Sequence, residues 1–170
     1  MDLRSIIRDV PDFPHEGILF RDITPILHDP NALRESVRQM QDALAGIEFD
    51  YVAGPESRGF IFGVPLACTM GKGFIPVRKA GKLPYETVAQ SYDLEYGSAT
   101  IEIHADAIQP GQKVVIVDDL LATGGTCGAL CKLIESQGGI VSGIVFLIEL
   151  VDLNGRTLLE NYNVTSIIRY

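Results

Sequence analysis

Two carboxylates stand side by side at Asp118-Asp119, and after Leu120-Leu121 comes a string of small residues, Ala122-Thr123-Gly124-Gly125-Thr126. Adjacent carboxylates behind an apolar run are costly to bury unless they face solvent or hold a partner. Ionised, they accept hydrogen bonds from hydroxyl groups. The small residues let the backbone approach a ligand closely. If they open a helix, its free N–H groups and the positive end of its dipole form an anion site. Hydroxyl acceptors and a phosphate cradle would then lie a few residues apart. A sugar 5-phosphate presents the matching groups, vicinal ring hydroxyls and a terminal phosphate. A Gly-Gly turn alone would carry little, because such strand-to-helix connections are common.

This chemistry needs a strand before it and a helix after it. Val114, Val115, Ile116 and Val117 form a β-branched run behind Pro110-Gly111. It reads as a strand buried on both faces, as in parallel sheets. Ala129, Leu130, Leu133 and Ile134 repeat at helical spacing and predict a helix over residues 126–137, ended by Gly138-Gly139. Elsewhere, Asp29-Pro30 can cap and open a helix carrying the stripe Leu33, Val37, Met40 and Leu44. Strands are expected at residues 51–54, 74–77, 140–150 and 164–168, with a helix over 60–70 interrupted by Pro65. A hairpin is expected around Gly97-Ser98 and a short helix over 154–160. The alternation implies an α/β fold with a mainly parallel central sheet flanked by helices. Residues 1–28 read as an irregular lead-in with at most a short strand at 18–20. Residues 83–91 show little periodicity and read as a mobile flap.

Three further groups could serve chemistry. Arg58 sits in a Gly-flanked turn after a strand, better placed for a phosphate than an ordinary surface cation. Arg78, Lys79 and Lys82 make the one dense cationic patch, and they follow a strand end, where ligands of α/β sheets bind. Glu95, in Leu-Glu-Tyr-Gly, is either an exposed strand residue or part of a site. Cys127 and Cys131 are four apart on the predicted helix. With no zinc spacing nearby they read as two small apolar residues on one face, and Cys68 as core.

Residues 114–126, VVIVDDLLATGGT, closely resemble the phosphoribosyl-diphosphate (PRPP) binding motif of the type I phosphoribosyltransferases, in the form of the adenine-specific branch. The lead-in DFPHEGILFRDITP resembles that branch's FPxPGIxFRDITP, although His15-Glu16 stands where a Pro often precedes the Gly. GPESRGF resembles its diphosphate-binding loop. The resemblance covers almost the whole chain. It implies transfer of a 5-phosphoribosyl group from PRPP to adenine, giving AMP and diphosphate, with Mg²⁺ as cofactor and a homodimer as the common assembly. It implies a single domain, with a hood over about residues 1–28 and a flexible loop over about 79–96. By position, Asp118 and Asp119 would hold the ribose hydroxyls, and Ala122, Thr123, Gly124, Gly125 and Thr126 the 5′-phosphate. Ser57, Arg58, Arg78, Lys79 and Lys82 would hold diphosphate. Phe20 would stack on adenine, with the backbones of Leu19 and Arg21 reading its edge. Arg58 and Glu95 would be catalytic, although a water chain could replace Glu95 as proton carrier. Mg²⁺ would be held by diphosphate and ribose hydroxyls, with no firm protein ligand. Members of the family can carry a non-proline cis peptide in this loop, here between Glu56 and Ser57.

Composition narrows the classes. The chain has 170 residues, a formal net charge of −8 and a pI near 4.8. An acidic chain without a basic run is a poor binder of nucleic acid or membrane surfaces. No apolar run is long enough to span a bilayer, and the charged N-terminus does not read as a signal peptide, so a cytoplasmic protein is expected. Two alternatives stay open: a phosphoribosyltransferase for another base, and a non-catalytic PRPP-sensing regulator.

Overall fold

In the computed structural model, which describes residues 1–94 and 96–170, the chain forms two units, Met1–Gln39 and Met40–Tyr170. The lead-in of the first unit is more regular than its sequence suggests. Strand β1 (Arg8–Pro11) pairs antiparallel with β2 (Leu19–Asp22), and helix α1 (Thr24–His28) follows. No residue of either strand is buried; β2 overlaps the short strand expected at 18–20, whereas β1 carries no alternation that would reveal it in a sequence. Side-chain oxygens set the turns: Asp12 accepts from the Gly17 N–H at 2.8 Å, and Asp22 from the Thr24 N–H at 2.9 Å. Helix α2 (Pro30–Ala43) starts as its sequence predicts, with Asp29 accepting the Asn31 N–H at 2.8 Å. The division between units falls within α2.

The second unit is built on β3 (Tyr51–Pro55), α3 (Arg58–Thr69), β4 (Gly73–Lys79), β5 (Thr87–Asp93), β6 (Ser98–His104), β7 (Lys113–Leu121), α4 (Gly125–Ser136), β8 (Ile140–Glu149) and β9 (Val164–Arg169). Among the described residues these strands make one seven-stranded sheet in the order β5-β6-β4-β3-β7-β8-β9. Strands β4, β3, β7, β8 and β9 run parallel, and β5 and β6 form an antiparallel edge. The β-branched run at the centre of β7 is buried, no residue of it more than 1% exposed. Helix α3 packs on β3, β4 and β7, whereas α4 packs on β5, β6, β7 and β8.

From β3 the chain crosses through α3 to β4 on one side; from β7 it crosses through α4 to β8 on the other. Right-handed crossovers in opposite directions put the two helices on opposite faces. The C-terminal ends of β3 and β7 therefore meet at a topological switch point, where open α/β sheets leave a crevice for ligands.

Three element boundaries differ from the sequence reading. Strand β7 runs on through Asp118 and Asp119 to Leu121, because β8 continues beside it and pairs Leu120 with Ile148 and Leu121 with Glu149. Strand β5 begins at Thr87, inside the stretch read as a flap, because β6 offers it a partner along its whole length. Strand β4 runs to Lys79, so Arg78 and Lys79 lie within it, paired with β6, and not beyond its end. The short helix expected over 154–160 is present as a 3-10 helix, Gly155–Leu159. Cys68 is exposed, a correction to its reading as core: it falls on the outer side of α3, while Phe62, Leu66 and Ala67 face inward.

Candidate active site

A cleft of about 720 Å³ opens at the switch point, lined among others by Glu56, Arg58, Asp118, Asp119 and residues 121–126. After β3 the chain turns through a cis Glu56–Ser57 peptide, and Arg58 is the first residue of α3. Ser57 stands at the N-cap of that helix, its side chain capping nothing. After β7, Gly124 takes a left-handed conformation, φ 85°, and α4 begins at Gly125. The first helical bond runs from the Gly128 N–H to the Gly124 carbonyl at 2.9 Å. The N–H groups of the first turn thus have no intrahelical partner, and they face a cleft lined by Thr123, Gly124, Gly125 and Thr126. The Tyr92 and Thr126 hydroxyls share a hydrogen bond of 3.0 Å, which ties β5 to the start of α4.

The two carboxylates differ in setting. Asp119 is 5% exposed, and its Oδ2 lies 2.9 Å from Arg58 Nε. Asp118 is half-buried, and its Oδ1 accepts the Asp119 N–H at 2.8 Å. Burial pushes the Asp118 carboxyl well above the usual range, and the neighbouring Asp119 charge adds to that. Burial also raises Asp119, against the pull of the Arg58 guanidinium. The pair is thus poorly satisfied on its own and suited to a partner that donates hydrogen bonds or carries positive charge.

Two cations of the second patch and the backbone of the third gather on one acid. Glu56 Oε2 lies 2.9 Å from Lys82 Nζ, and Oε1 accepts the Lys79 N–H at 2.8 Å with Arg78 Nε at 3.4 Å. Lys82, then the Lys79 amide, hold the Glu56 carboxyl below the usual range. The sequence reading singled out the cations and passed over Glu56, although it stands within the GPESRGF string. Tyr92 was also missed, since an aromatic residue on a hairpin strand carries no chemical signal of its own.

The second unit therefore brings together Arg58, Asp118, Asp119, residues 122–126 and, through Glu56, the patch Arg78, Lys79 and Lys82. Glu95 lies outside the described residues. Leu19, Phe20 and Arg21 lie on β2 of the first unit, where Phe20 meets the Phe13 ring edge-on at 5.2 Å and Arg21 pairs with Asp9. On α4, Cys127 and Cys131 are buried, and the hydrogen bond between them together with burial pushes the Cys127 thiol up, as befits packing residues.

A switch-point cleft with an acidic pair on one strand end and a helix-opening anion loop beside it defines a sugar-phosphate-handling α/β domain. Comparison with known proteins agrees: residues 23–169 match the model of the phosphoribosyl transferase domain, and the chain belongs to that family. It is 60% identical to the adenine phosphoribosyltransferase of Lachnoclostridium phytofermentans, over 99% of this chain and 97% of the relative. The crystal structure of adenine phosphoribosyltransferase from Thermoanaerobacter pseudethanolicus is similar with a TM-score of 0.97 and 54% identity, covering 99% of this chain and 98% of that one. The Saccharomyces cerevisiae adenine phosphoribosyltransferase, complexed with an imino-altritol bisphosphate and adenine, is similar with a TM-score of 0.92 and 41% identity, covering 98% and 96%.

Proposed function

We propose that this chain transfers the 5-phosphoribosyl group of PRPP to adenine, forming AMP and releasing diphosphate. The observation that carries the reading is the shared cleft of Asp118-Asp119 and the loop 122–126 at the switch point. Relatives named adenine phosphoribosyltransferase, one of them crystallised with adenine and a bisphosphate, support the choice of base.

The geometry suits the chemistry. The loop Ala122, Thr123, Gly124, Gly125 and Thr126 anchors the 5′-phosphate through backbone N–H groups and the two Thr hydroxyls. Asp118 and Asp119 accept hydrogen bonds from the ribose hydroxyls, and their charge favours an oxocarbenium-like ribose as diphosphate leaves. Ser57, Arg58, Arg78, Lys79 and Lys82 receive the leaving group. To do so, Arg58 gives up part of its contact with Asp119, and the patch part of its contact with Glu56. Glu95 manages the adenine proton, and Leu19, Phe20 and Arg21 hold the base on the resemblance alone.

Hard oxygen donors at Asp118 and Asp119 fit Mg²⁺. Among the described residues no group of three or more His, Cys, Asp or Glu is arranged to hold a metal; on the resemblance, diphosphate and the ribose hydroxyls would carry the ion. When bound, Mg²⁺ supplies charge neutralisation at the diphosphate. Among the described residues no helix is long and apolar enough to cross a membrane. A homodimer working in the cytoplasm, with residues 1–28 as hood, completes the proposal; of the stretch 79–96 expected as a flexible loop, residues 87–93 are strand β5.

The test measures AMP, IMP and orotidylate formation side by side, with and without Mg²⁺, for wild type and Asp118→Asn/Asp119→Asn. Mg²⁺-dependent AMP formation that collapses in the double variant is expected. AMP formation no faster than that of the other nucleotides would sink the adenine assignment, and PRPP binding without turnover of any base would favour a sensor.

A further inference from the structure

The loop that opens α4 has no side chain large enough to hold its own shape, so something behind it must. That support is the 3-10 helix Gly155–Leu159. A Cβ added at Gly155 would lie 2.3 Å from the Ala122 carbonyl oxygen and 3.1 Å from the Gly124 nitrogen. One added at Gly124 would lie 2.5 Å from the Gly155 carbonyl oxygen. The two backbones thus approach closely, leaving no room for a Cβ on either glycine, and the Leu121 side chain lies beside them, its Cδ1 2.8 Å from a Cβ at Gly155.

The next residue bolts that helix to the sheet. Arg156 Nε and Nη2 donate to the two carboxylate oxygens of Glu149 at 2.7 and 2.8 Å. Its Nη1 donates to the Val164 carbonyl at 2.9 Å, and Nη2 also reaches Ser166 Oγ at 3.2 Å. Glu149 is 3% exposed at the end of β8, and Arg169 Nε approaches its Oε2 at 3.3 Å. The following Leu150 N–H donates to the Leu121 carbonyl at 2.9 Å, just before the loop. A planar, bidentate Arg–carboxylate pair fixes direction as well as distance, which an ammonium cannot do. The Arg156 guanidinium holds the Glu149 carboxyl below its usual range, so the pair stays charged at neutral pH.

We propose that Gly155 and Arg156 are positioning residues for the phosphate loop: the Arg156–Glu149 pair pins the 3-10 helix, and the backbone of Gly155 holds residues 122–124 in the shape that receives a 5′-phosphate. This rests on the reading of residues 122–126 as the 5′-phosphate site. An anion loop binds well only when its N–H groups are in place before the ligand arrives. The pair, with Glu149 buried and Arg156 partly exposed, serves that preorganisation without touching substrate.

The experiment titrates ribose 5-phosphate and, separately, inorganic diphosphate into wild type, Arg156→Lys and Gly155→Ala by calorimetry, with a thermal melt of each. Both variants are expected to weaken ribose 5-phosphate about tenfold, with diphosphate affinity within about twofold of wild type. In turnover, the KM for PRPP rises while the KM for adenine holds. If Arg156→Lys fails to fold, Gly155→Ala carries the test alone. Unchanged ribose 5-phosphate affinity in a folded variant, or equal weakening of both ligands, overturns the positioning role and leaves the proposed function standing. Wild type that binds diphosphate but no ribose 5-phosphate overturns both.

Discussion

Replacing Arg58 by Gln should expose how the buried acid pair is tolerated. Arg58 Nε lies 2.9 Å from Asp119 Oδ2, which at an effective dielectric of about 20 is an attraction of about 6 kcal/mol before desolvation. The Asp119 side chain is 8% exposed and the Arg58 side chain 47%, so solvent screens much of this. Removing one partner of a fully buried pair costs about 3–5 kcal/mol, whereas an exposed pair is worth about 1 kcal/mol or less. A loss of about 2 kcal/mol is therefore expected, lowering Tm at pH 7 by about 4–8 °C for a chain of this size. Burial holds the Asp119 carboxyl above its ordinary value, and Arg58 is the largest influence drawing it back. Without Arg58 the folded carboxyl titrates higher still, so at intermediate pH the variant binds more protons than wild type. The stability gap between them must then widen as pH rises through the titration of this raised carboxyl and narrow as pH falls. Scanning calorimetry from pH 4 to 8 tests this. A variant melting within about 1 °C of wild type at pH 7, or a gap that does not change with pH, would refute the claim that Arg58 neutralises a buried carboxylate.

Three other outcomes follow from the geometry. Glu56→Gln keeps the shape but loses the charge that holds Lys82 at 2.9 Å, so the KM for PRPP should rise by about three- to tenfold with the KM for adenine unchanged. Tyr92→Phe removes the 3.0 Å bond to Thr126; a loss of about 1 kcal/mol in PRPP binding, about fivefold in KM, is expected with the melt shifted by no more than about 4 °C. A thiol reagent at neutral pH should modify Cys68 rapidly and reach Cys127 and Cys131 only on unfolding; rapid modification of all three cysteines in the native protein would contradict their burial.

What could be read in advance was local. The β-branched run before Asp118, the helical spacing after Thr126, and Asp29-Pro30 before α2 each state their structure within a dozen residues, because burial on both faces, a 3.6-residue period and a cap are short-range requirements. The loop 122–126 was legible for the same reason, since its chemistry needs only small residues at a strand-to-helix joint. Strand β1, which pairs with β2, and the early start of β5 were not legible, because half-exposed strands are held by their partners and not by a pattern of their own. Nor could the sequence alone pair Glu56 with Lys82, Arg58 with Asp119 or Arg156 with Glu149, whose members are brought together only when β4, β7 and β8 take their places in the sheet. The sequence by itself determined which residues were able to hold a sugar phosphate. Only the tertiary structure decided which acids neutralise which cations and what stands behind the phosphate loop, because an ion pair depends on distance in space, and the order of strands in a sheet sets that distance independently of separation along the chain.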